Sequence, residues 1–336
     1  MPVPDIVLRR QAVLLLAHGT PQALDEIPEY LRNVTSGRPM PESVVEEIRH
    51  RYSLIGSSPL TELTQEQGRL LSHALGLPVY VGMRNWKPYI ADVVRQMRAD
   101  GITSAVVICL APQNSRTSVG LYRRAAFAEA AGAIEMDFID GWADHPLLAQ
   151  AFAERLQPLW QSVSARIGAA APVLFTAHSV PCRTIQTQPA DAQGPPSPGP
   201  DPYPVEAKNT AANVAALLAP LGLTSAGWFF AFQSQGMSGA TWIGPTVEDT
   251  LTALRQEGHS AVVIQPIGFL CDHVEILYDI DIAFRDFASG IGLEVVRPQS
   301  LNDSPLLTAT LEDLARKGFA RLAAKVPSEA LSAPAL

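Results

Sequence analysis

The sequence predicts an α/β protein made of two similar domains, each a parallel four-stranded sheet flanked by helices, with a cleft between them. Three observations lead there. VLLLAHGTP at 13–21 returns as VLFTAHSVP at 173–181, each copy an apolar run ending in Ala-His-x-x-Pro. MRADGITSAVVI at 97–108 returns, at nearly the same offset, as LRQEGHSAVVI at 254–264. Short apolar runs alternate with helical patterns along the whole chain, the arrangement that yields a parallel sheet covered by helices. A repeated unit of this size implies two facing domains, and the cleft between such domains is a common ligand site.

In chain order the strands fall at 12–17, 79–82, 104–111 and 134–138, then at 173–177, 226–232, 260–267 and 293–296. Each is an apolar run of strand length bounded by polar or turn residues, as expected for a strand buried on both faces. Amphipathic helices over 93–100 and 247–257 are followed by Gly101 and Gly258, glycines suited to the left-handed conformation that ends a helix. The chain divides into 1–168 and 169–336. The second part includes an amphipathic terminal helix at 306–325, whose packing partner the pattern leaves open. The segment 187–204 holds seven prolines and two glycines and cannot continue a helix or a central strand, so it is a long loop, either a passive insertion or a lid.

With 336 residues, 47% of them hydrophobic, the chain suits two domains with sizeable cores. A formal net charge of −8 argues against nucleic acid as a partner, because neutralising phosphates requires a basic face. The apolar run before His18 is too short for a signal peptide, and no stretch reaches the ~18 apolar residues of a membrane span. Cys109, Cys182 and Cys271 are too few and too scattered for a disulfide framework or for the ligands of an iron–sulfur cluster. The expectation is a soluble cytoplasmic protein without a permanent cofactor.

In open parallel sheets ligands sit beyond the carboxyl ends of the strands, and in this chain those positions are polar. They hold His18, the Gln113–Ser115 run, His178, the Gln233–Gln235 run and the Asp272–Glu275 run. His178 and Glu275 follow two strands of the same half, and an imidazole facing a carboxylate can bind a divalent ion, move protons, or do both. Residue types alone leave a structural histidine equally open. Asp272, Glu275 and Asp279 fall at helical spacing on one acidic face, for which a solvated helix face is the plain reading. On that helix His273 points elsewhere and takes a packing or hydrogen-bonding role. His18, beside Gly19, is placed to approach a flat ligand closely.

At these residues the chain resembles the ferrochelatases, which insert ferrous iron into a porphyrin. The resemblance rests on LLLAHGTP, RYSLIGSSPL at 51–60, GMRNWKPYI at 82–90, LAPQNSRTSVGLYRRA at 110–125, TAHSVP, FQSQGMSGATWIGP at 232–245 and PIGFLCDHVEILYDID at 266–281. It implies two Rossmann-like, chelatase-like domains with a porphyrin cleft between them, and Fe²⁺ as a substrate rather than a resident cofactor. It implies that His178 and Glu275 form the catalytic and metal site, and that His18, Arg51, Tyr52, Ser58 and Tyr122 contact the porphyrin. The AHS-x-P and DH-x-E-x-LYD details are similar to the branch that uses coproporphyrin III, with protoporphyrin IX the next choice. A monomer in transient contact with the preceding porphyrinogen oxidase completes the expectation.

The chain departs from the family pattern in three places. His18 stands where that branch has a tyrosine near the product iron, Thr35 where an arginine is expected, and Ala283 where an outer carboxylate is expected. Arg32 and Arg38 are the substitutes considered for the arginine. Arg49, Arg51, Arg84, Lys87, Arg116, Arg123 and Arg124 form a basic set in the first half, with Arg49, Arg123 and Arg124 expected to be surface charge. The alternatives are a cobalt or nickel chelatase acting on a sirohydrochlorin-like ring, with His18 as ligand, and a non-catalytic tetrapyrrole carrier.

Overall fold

The computed structural model describes residues 10–185, 200–235 and 240–325. The first sheet contains β1 (Gln11–Ala17), β2 (Val79–Met83), β3 (Ser104–Cys109) and β4 (Glu135–Ile139), all parallel, in the order β2-β1-β3-β4. The second contains β5 (Val173–His178), β6 (Trp228–Gln233), β7 (Ala261–Pro266) and β8 (Glu294–Val296), in the order β6-β5-β7-β8. The wiring is the same in both, so the sequence repeat is a repeat of topology. All eight predicted strands form. The run 104–111 ends early, at Cys109, and Leu110 and Ala111 turn out of the sheet to line the cleft.

Each strand divides its apolar side chains between two faces, as the two-residue period of a strand requires. Val13, Leu15, Val106 and Ile108 of the first sheet and Val173, Phe175 and Val263 of the second belong to one central core. Leu14, Leu16, Ala105 and Val107 face the other way in the first sheet, as do Leu174, Val262 and Ile264 in the second.

The helices fill the layers around these sheets. Between β1 and β2 come α1 (Ile27–Val34), α2 (Glu42–Ile55) and α3 (Leu60–Leu75). The outer face of the first sheet is covered by α4 (Ile90–Ala99) and α5 (Val119–Ala130), through Val94, Met97, Tyr122 and Ala126. A long helix, α6 (Pro146–Ile167), leads into the second half, which adds α7 (Cys182–Ile185), α8 (Tyr203–Leu218), α9 (Val247–Gln256), α10 (Val274–Leu277), α11 (Arg285–Gly290) and α12 (Pro305–Ala324). Helices α9 and α11 cover the outer face of the second sheet through Leu251, Leu254 and Ala288. Gly101 and Gly258 take φ of +75° and +94° just past the ends of α4 and α9, as helix-terminating glycines do.

One feature is left open by the sequence reading and one differs from it. Helix α12, counted by chain order with the second half, packs across β3 and β4 of the first sheet and against α3 and α6. Its Arg321 pairs with Asp137 of β4 at 2.7 Å, and Leu307, Leu311 and Leu322 enter the central core between the sheets. Amphipathicity fixes which face of a helix is buried but not which sheet receives it. In the proline-rich segment, residues 187–199 lie outside the described residues, while Tyr203 and Pro204 begin α8 rather than ending a loop, since proline is tolerated in the first turn of a helix.

The docking of α12 depends on a small residue. A Cβ at Gly318 would lie 2.6 Å and 2.7 Å from the two γ-methyl carbons of Val106 on β3. Gly318→Ala therefore forces the helix off the sheet, with an expected loss of about 1–3 kcal/mol, the usual cost of overpacking. Urea unfolding of the variant checks it, and an unchanged midpoint rules out this packing.

Candidate active site

The four central strands β1, β3, β5 and β7 point their carboxyl ends at one cleft between the halves. In sheets of this strand order the connections diverge there, which leaves a crevice. The cleft encloses about 370 Å³ and is lined by His18 after β1, Leu110 and Ala111 after β3, His178 at the end of β5, and the 268–275 segment after β7. A cluster of Ile27, Tyr30, Leu31, Val45 and Tyr52 from the α1–α2 region and Trp86 from the turn after β2 backs one side, where Tyr30 and Tyr52 line the cleft and Val274 from the second half packs against the cluster.

His178 and Glu275 meet in this cleft. His178 Nε2 lies 3.3 Å from Glu275 Oε1, and their side chains remain 35% and 32% open to the cleft. The ring is held from behind by a hydrogen bond between its Nδ1 and the Ser179 carbonyl. Tyr203 donates to the His178 carbonyl at 2.8 Å, which pins the end of β5. Gln233 receives a hydrogen bond from Thr176 and passes one on to the Glu275 carbonyl at 2.8 Å, tying the start of α10 to the second sheet.

The second carboxylate oxygen has its own imidazole. His273 Nε2 sits 3.5 Å from Glu275 Oε2, and Phe269 packs against both His178 and His273. Sequence reasoning sent His273 elsewhere on a helix. The helix begins only at Val274, and His273 precedes it with extended backbone, φ −162° and ψ −176°, so its ring folds back over the carboxylate. The helical acidic face fails for the same reason. Asp272 lies before the helix, where it accepts hydrogen bonds from Ser300 and Asn302 and pairs with Arg297 at 3.1 Å. Asp279, one turn beyond Glu275, is buried rather than solvated and accepts a hydrogen bond from Ser234. It opens a π-helical turn, Asp279–Phe284, that also contains Ala283.

Burial and charge oppose each other at this cluster. Burial raises the pKa of Glu275, but the adjacent imidazoles outweigh it and hold the carboxyl well below its usual range. Burial likewise lowers His178, and the Glu275 charge and hydrogen bond reverse that and push it up to about 9. At neutral pH the pair is imidazolium facing carboxylate. Asp279 is raised to about 6, first by burial and then by the charge on Glu275.

His18 occupies the equivalent place in the first half with the opposite charge state. Burial, and then the Arg84 cation, lower its pKa to about 4, so the ring is neutral. Gly19 has φ +86°, and a Cβ there would lie 2.9 Å from the Trp86 nitrogen, so the close approach that this glycine permits is made by the protein's own chain.

Of the other expected contacts, Tyr52, Ser58 and Tyr122 line the cleft together with His18. The Tyr52 hydroxyl is 2.9 Å from Thr20 Oγ1, and burial raises it to about 12. Ser58 is buried, and its hydroxyl finds no hydrogen-bond partner among the described residues. Tyr122 is neutral, its pKa raised by burial, and the Arg84 guanidinium lies 5.5 Å from its ring centroid. Arg84 lines the cleft and has no carboxylate partner among the described residues. Arg51 does not line it. That side chain is held by Glu47 at 2.8 Å and Asp279 at 3.7 Å, and stacks over Tyr278. Thr35 bonds to backbone carbonyls of its own turn, and neither Arg32 nor Arg38 reaches the cleft lining. Arg49 and Arg123 pair with Glu46 and Asp140 at the surface, as expected. The sequence pattern gives Tyr203 no role, although it stands within a proline-rich break, and gives His273 a packing or hydrogen-bonding role without its place beside Glu275.

The chain matches the ferrochelatase family over residues 10–318. It belongs to the ferrochelatase family. It is 66% identical over 326 residues to a ferrochelatase of Acidobacterium capsulatum, covering 96% of this chain and 99% of that protein. It is 33% identical over 326 residues to the coproporphyrin III ferrochelatase of Geobacillus kaustophilus, covering 94% and 98%. The fold is shared with the solved structure of SirB from Bacillus subtilis with Fe³⁺, at a TM-score of 0.54 and 12% identity, covering 94% of this chain and 98% of that one. The protein is thus a metal chelatase of porphyrin and haem biosynthesis. No helix among the described residues is long and apolar enough to cross a membrane.

The opposed charge states of the two strand-end histidines are measurable. In a histidine-resolved NMR titration His18 is expected to stay neutral down to about 4 and His178 to stay protonated up to about 9. Glu275→Gln removes the charge and hydrogen bond that hold the His178 proton, so the His178 midpoint falls, and by more than that of His18, for which the Glu275 charge is a lesser influence. Equal midpoints in the native protein contradict these electrostatics.

Proposed function

We propose that this chain inserts ferrous iron into coproporphyrin III, with protoporphyrin IX the next-preferred ring, and releases two protons per turnover. The observation that carries the reading is the His178–Glu275 pair, 3.3 Å apart in the cleft between the two sheets. The name of the Geobacillus kaustophilus relative supports the choice of ring.

The geometry suggests an order of events. The resting pair holds one proton, on His178. Fe²⁺ displaces it, and neutral His178 Nε2 and the Glu275 carboxylate become the ligands that replace part of the iron's water shell. As the metal moves into the ring, two pyrrole N–H protons must leave. One restores the His178 imidazolium and the other departs through Glu275, which balances two protons out for one iron in. His273, on the far oxygen of Glu275, keeps that carboxylate ionised and correctly turned.

Ring binding falls to the wall contributed by the first half. Arg84, a cation without a carboxylate partner there, suits a propionate, and the unpartnered Ser58 hydroxyl offers a second donor. Arg51 supports the site from behind, through Asp279. On the same reading the enzyme is a cytoplasmic monomer that receives its porphyrin from the preceding oxidase by transient contact, and its three free cysteines agree with a reducing compartment.

Anaerobic insertion assays with Fe²⁺ and each porphyrin test the reading. Turnover faster with coproporphyrin III is expected, and His178→Ala should lower it by about 10²–10⁴-fold, the usual range for losing a proton-transfer group. Faster turnover with protoporphyrin IX overturns the ring assignment, and an active His178→Ala enzyme overturns the site.

Iron and the proton compete for His178, so apparent iron affinity is expected to rise with pH and level off above about 9. In Glu275→Gln the His178 proton is held less tightly, so the rising limb moves to lower pH while the maximum rate falls. A limb at the same pH in both proteins removes His178 from the metal step.

A further inference from the structure

Histidine is a strong iron ligand, and His18 stands at the end of β1 with its ring open to the cleft into which the metal is inserted. Its nitrogens are nevertheless both engaged. Asn85, itself only 3% exposed, places Nδ2 2.9 Å from His18 Nε2. The amide cannot be turned over without loss, because its Oδ1 accepts from Arg84 Nε at 3.2 Å. An amide nitrogen only donates, so Nε2 must be the acceptor and its lone pair lies along the hydrogen bond to Asn85. On the other side of the ring, Nδ1 is 3.1 Å from the Gly19 carbonyl, which only accepts, so the ring's single proton sits on Nδ1. The Tyr30 hydroxyl, 3.2 Å from the same nitrogen, shares it.

The Asn85 amide is fixed by more than its own two contacts. Its backbone N–H donates to the His18 carbonyl at 2.9 Å, and its carbonyl accepts from Asn33 at 3.1 Å. The residue is therefore built into the turn after β2 as a rigid support for the imidazole. The two histidines at the ends of the repeated first strands differ in what holds them. Nε2 of His178 faces a carboxylate and becomes available to a metal once its proton leaves, whereas Nε2 of His18 faces an amide donor and has no proton to lose.

We infer that Asn85 is a positioning residue which prevents His18 from ligating the inserted iron, so that the metallated ring is held on this side by packing and leaves without breaking an iron–imidazole bond. This rests on the reading of the cleft as the porphyrin site. It assigns a role in product release to a residue that touches neither the metal nor the transferred protons.

The test adds ferric coproporphyrin III, the oxidised product, to the full-length protein and records absorption and EPR spectra of the complex. In the native protein no imidazole-ligated iron is expected, and the spectra of His18→Ala should match the native ones. In Asn85→Ala the freed Nε2 binds iron, an imidazole-ligated signal appears, and it vanishes in the Asn85→Ala/His18→Ala double variant. Displacement of the product from Asn85→Ala should slow by about tenfold, the factor equivalent to ~1.4 kcal/mol. An imidazole signal in the native protein that disappears in His18→Ala overturns the inference while leaving the porphyrin site intact, and needs no folded Asn85 variant. A folded Asn85→Ala protein that binds ferric porphyrin without an imidazole signal also overturns it. If the native protein fails to bind the porphyrin, the cleft reading itself falls.

Discussion

The electrostatics of this cleft depend on one carboxylate, Glu275, kept ionised between two imidazoles. Desolvation opposes that charge, and an isolated buried carboxyl would take up a proton instead. His178 on one oxygen and His273 on the other reverse the balance. The consequence passes to His178, which is held protonated up to about 9. The same charge adds to burial at Asp279, which rises to about 6, first from desolvation and then from the neighbouring negative charge. Burial and the charge on Glu275 together thus set the protonation of the groups around it.

Holding that carboxylate in place requires the rest of the second half. Arg297 pairs with Asp272 and Asp281, on either side of Glu275 in the chain, at 3.1 and 2.6 Å. Asn302 and Ser300 finish the hydrogen bonding of Asp272, and Asn302 also receives Gln67 from the first half. Gln113, after β3, donates to Thr210 and to the Ile267 carbonyl, so the two halves are fastened by polar contacts beside the cleft as well as by the shared apolar core. A buried cation between two carboxylates specifies geometry more than it adds stability. Here the geometry it specifies is that of the His273–Glu275 segment.

Much of this was legible in the sequence because strands buried on both faces announce themselves as apolar runs, and a duplicated topology announces itself as a repeat. That His178 and Glu275 meet was legible because both follow the carboxyl ends of neighbouring parallel strands. What escaped depends on contacts between distant residues or on a local departure from regular structure. His273 was misplaced because the helix starts one residue after it. Asp279 was read as solvated because nothing in its neighbourhood in the chain reveals Ser234 or Arg51. Arg51 looked free for a propionate, but its charge is shared between Glu47 and Asp279. Helix α12 showed which of its faces is buried, yet the sheet it covers depends on Gly318 fitting against Val106, a match of shapes rather than of patterns.

The repeat also shows how two equivalent positions come to hold different partners and different charge. Each half ends its first strand in Ala-His, and both rings project into the same cleft. The residue that meets the second imidazole comes from the segment after β7 and is a glutamate. The residue that meets the first comes from the turn after β2 and is an asparagine. A carboxylate draws a proton onto the ring and leaves a lone pair once that proton departs, while an amide donor consumes the lone pair outright. Burial lowers both rings; at His18 the Arg84 cation lowers the pKa further, to about 4, whereas at His178 the Glu275 charge and hydrogen bond reverse the effect and raise it to about 9. One fold used twice therefore produces a cleft with an ion pair on one wall and a neutral, amide-bound imidazole on the other.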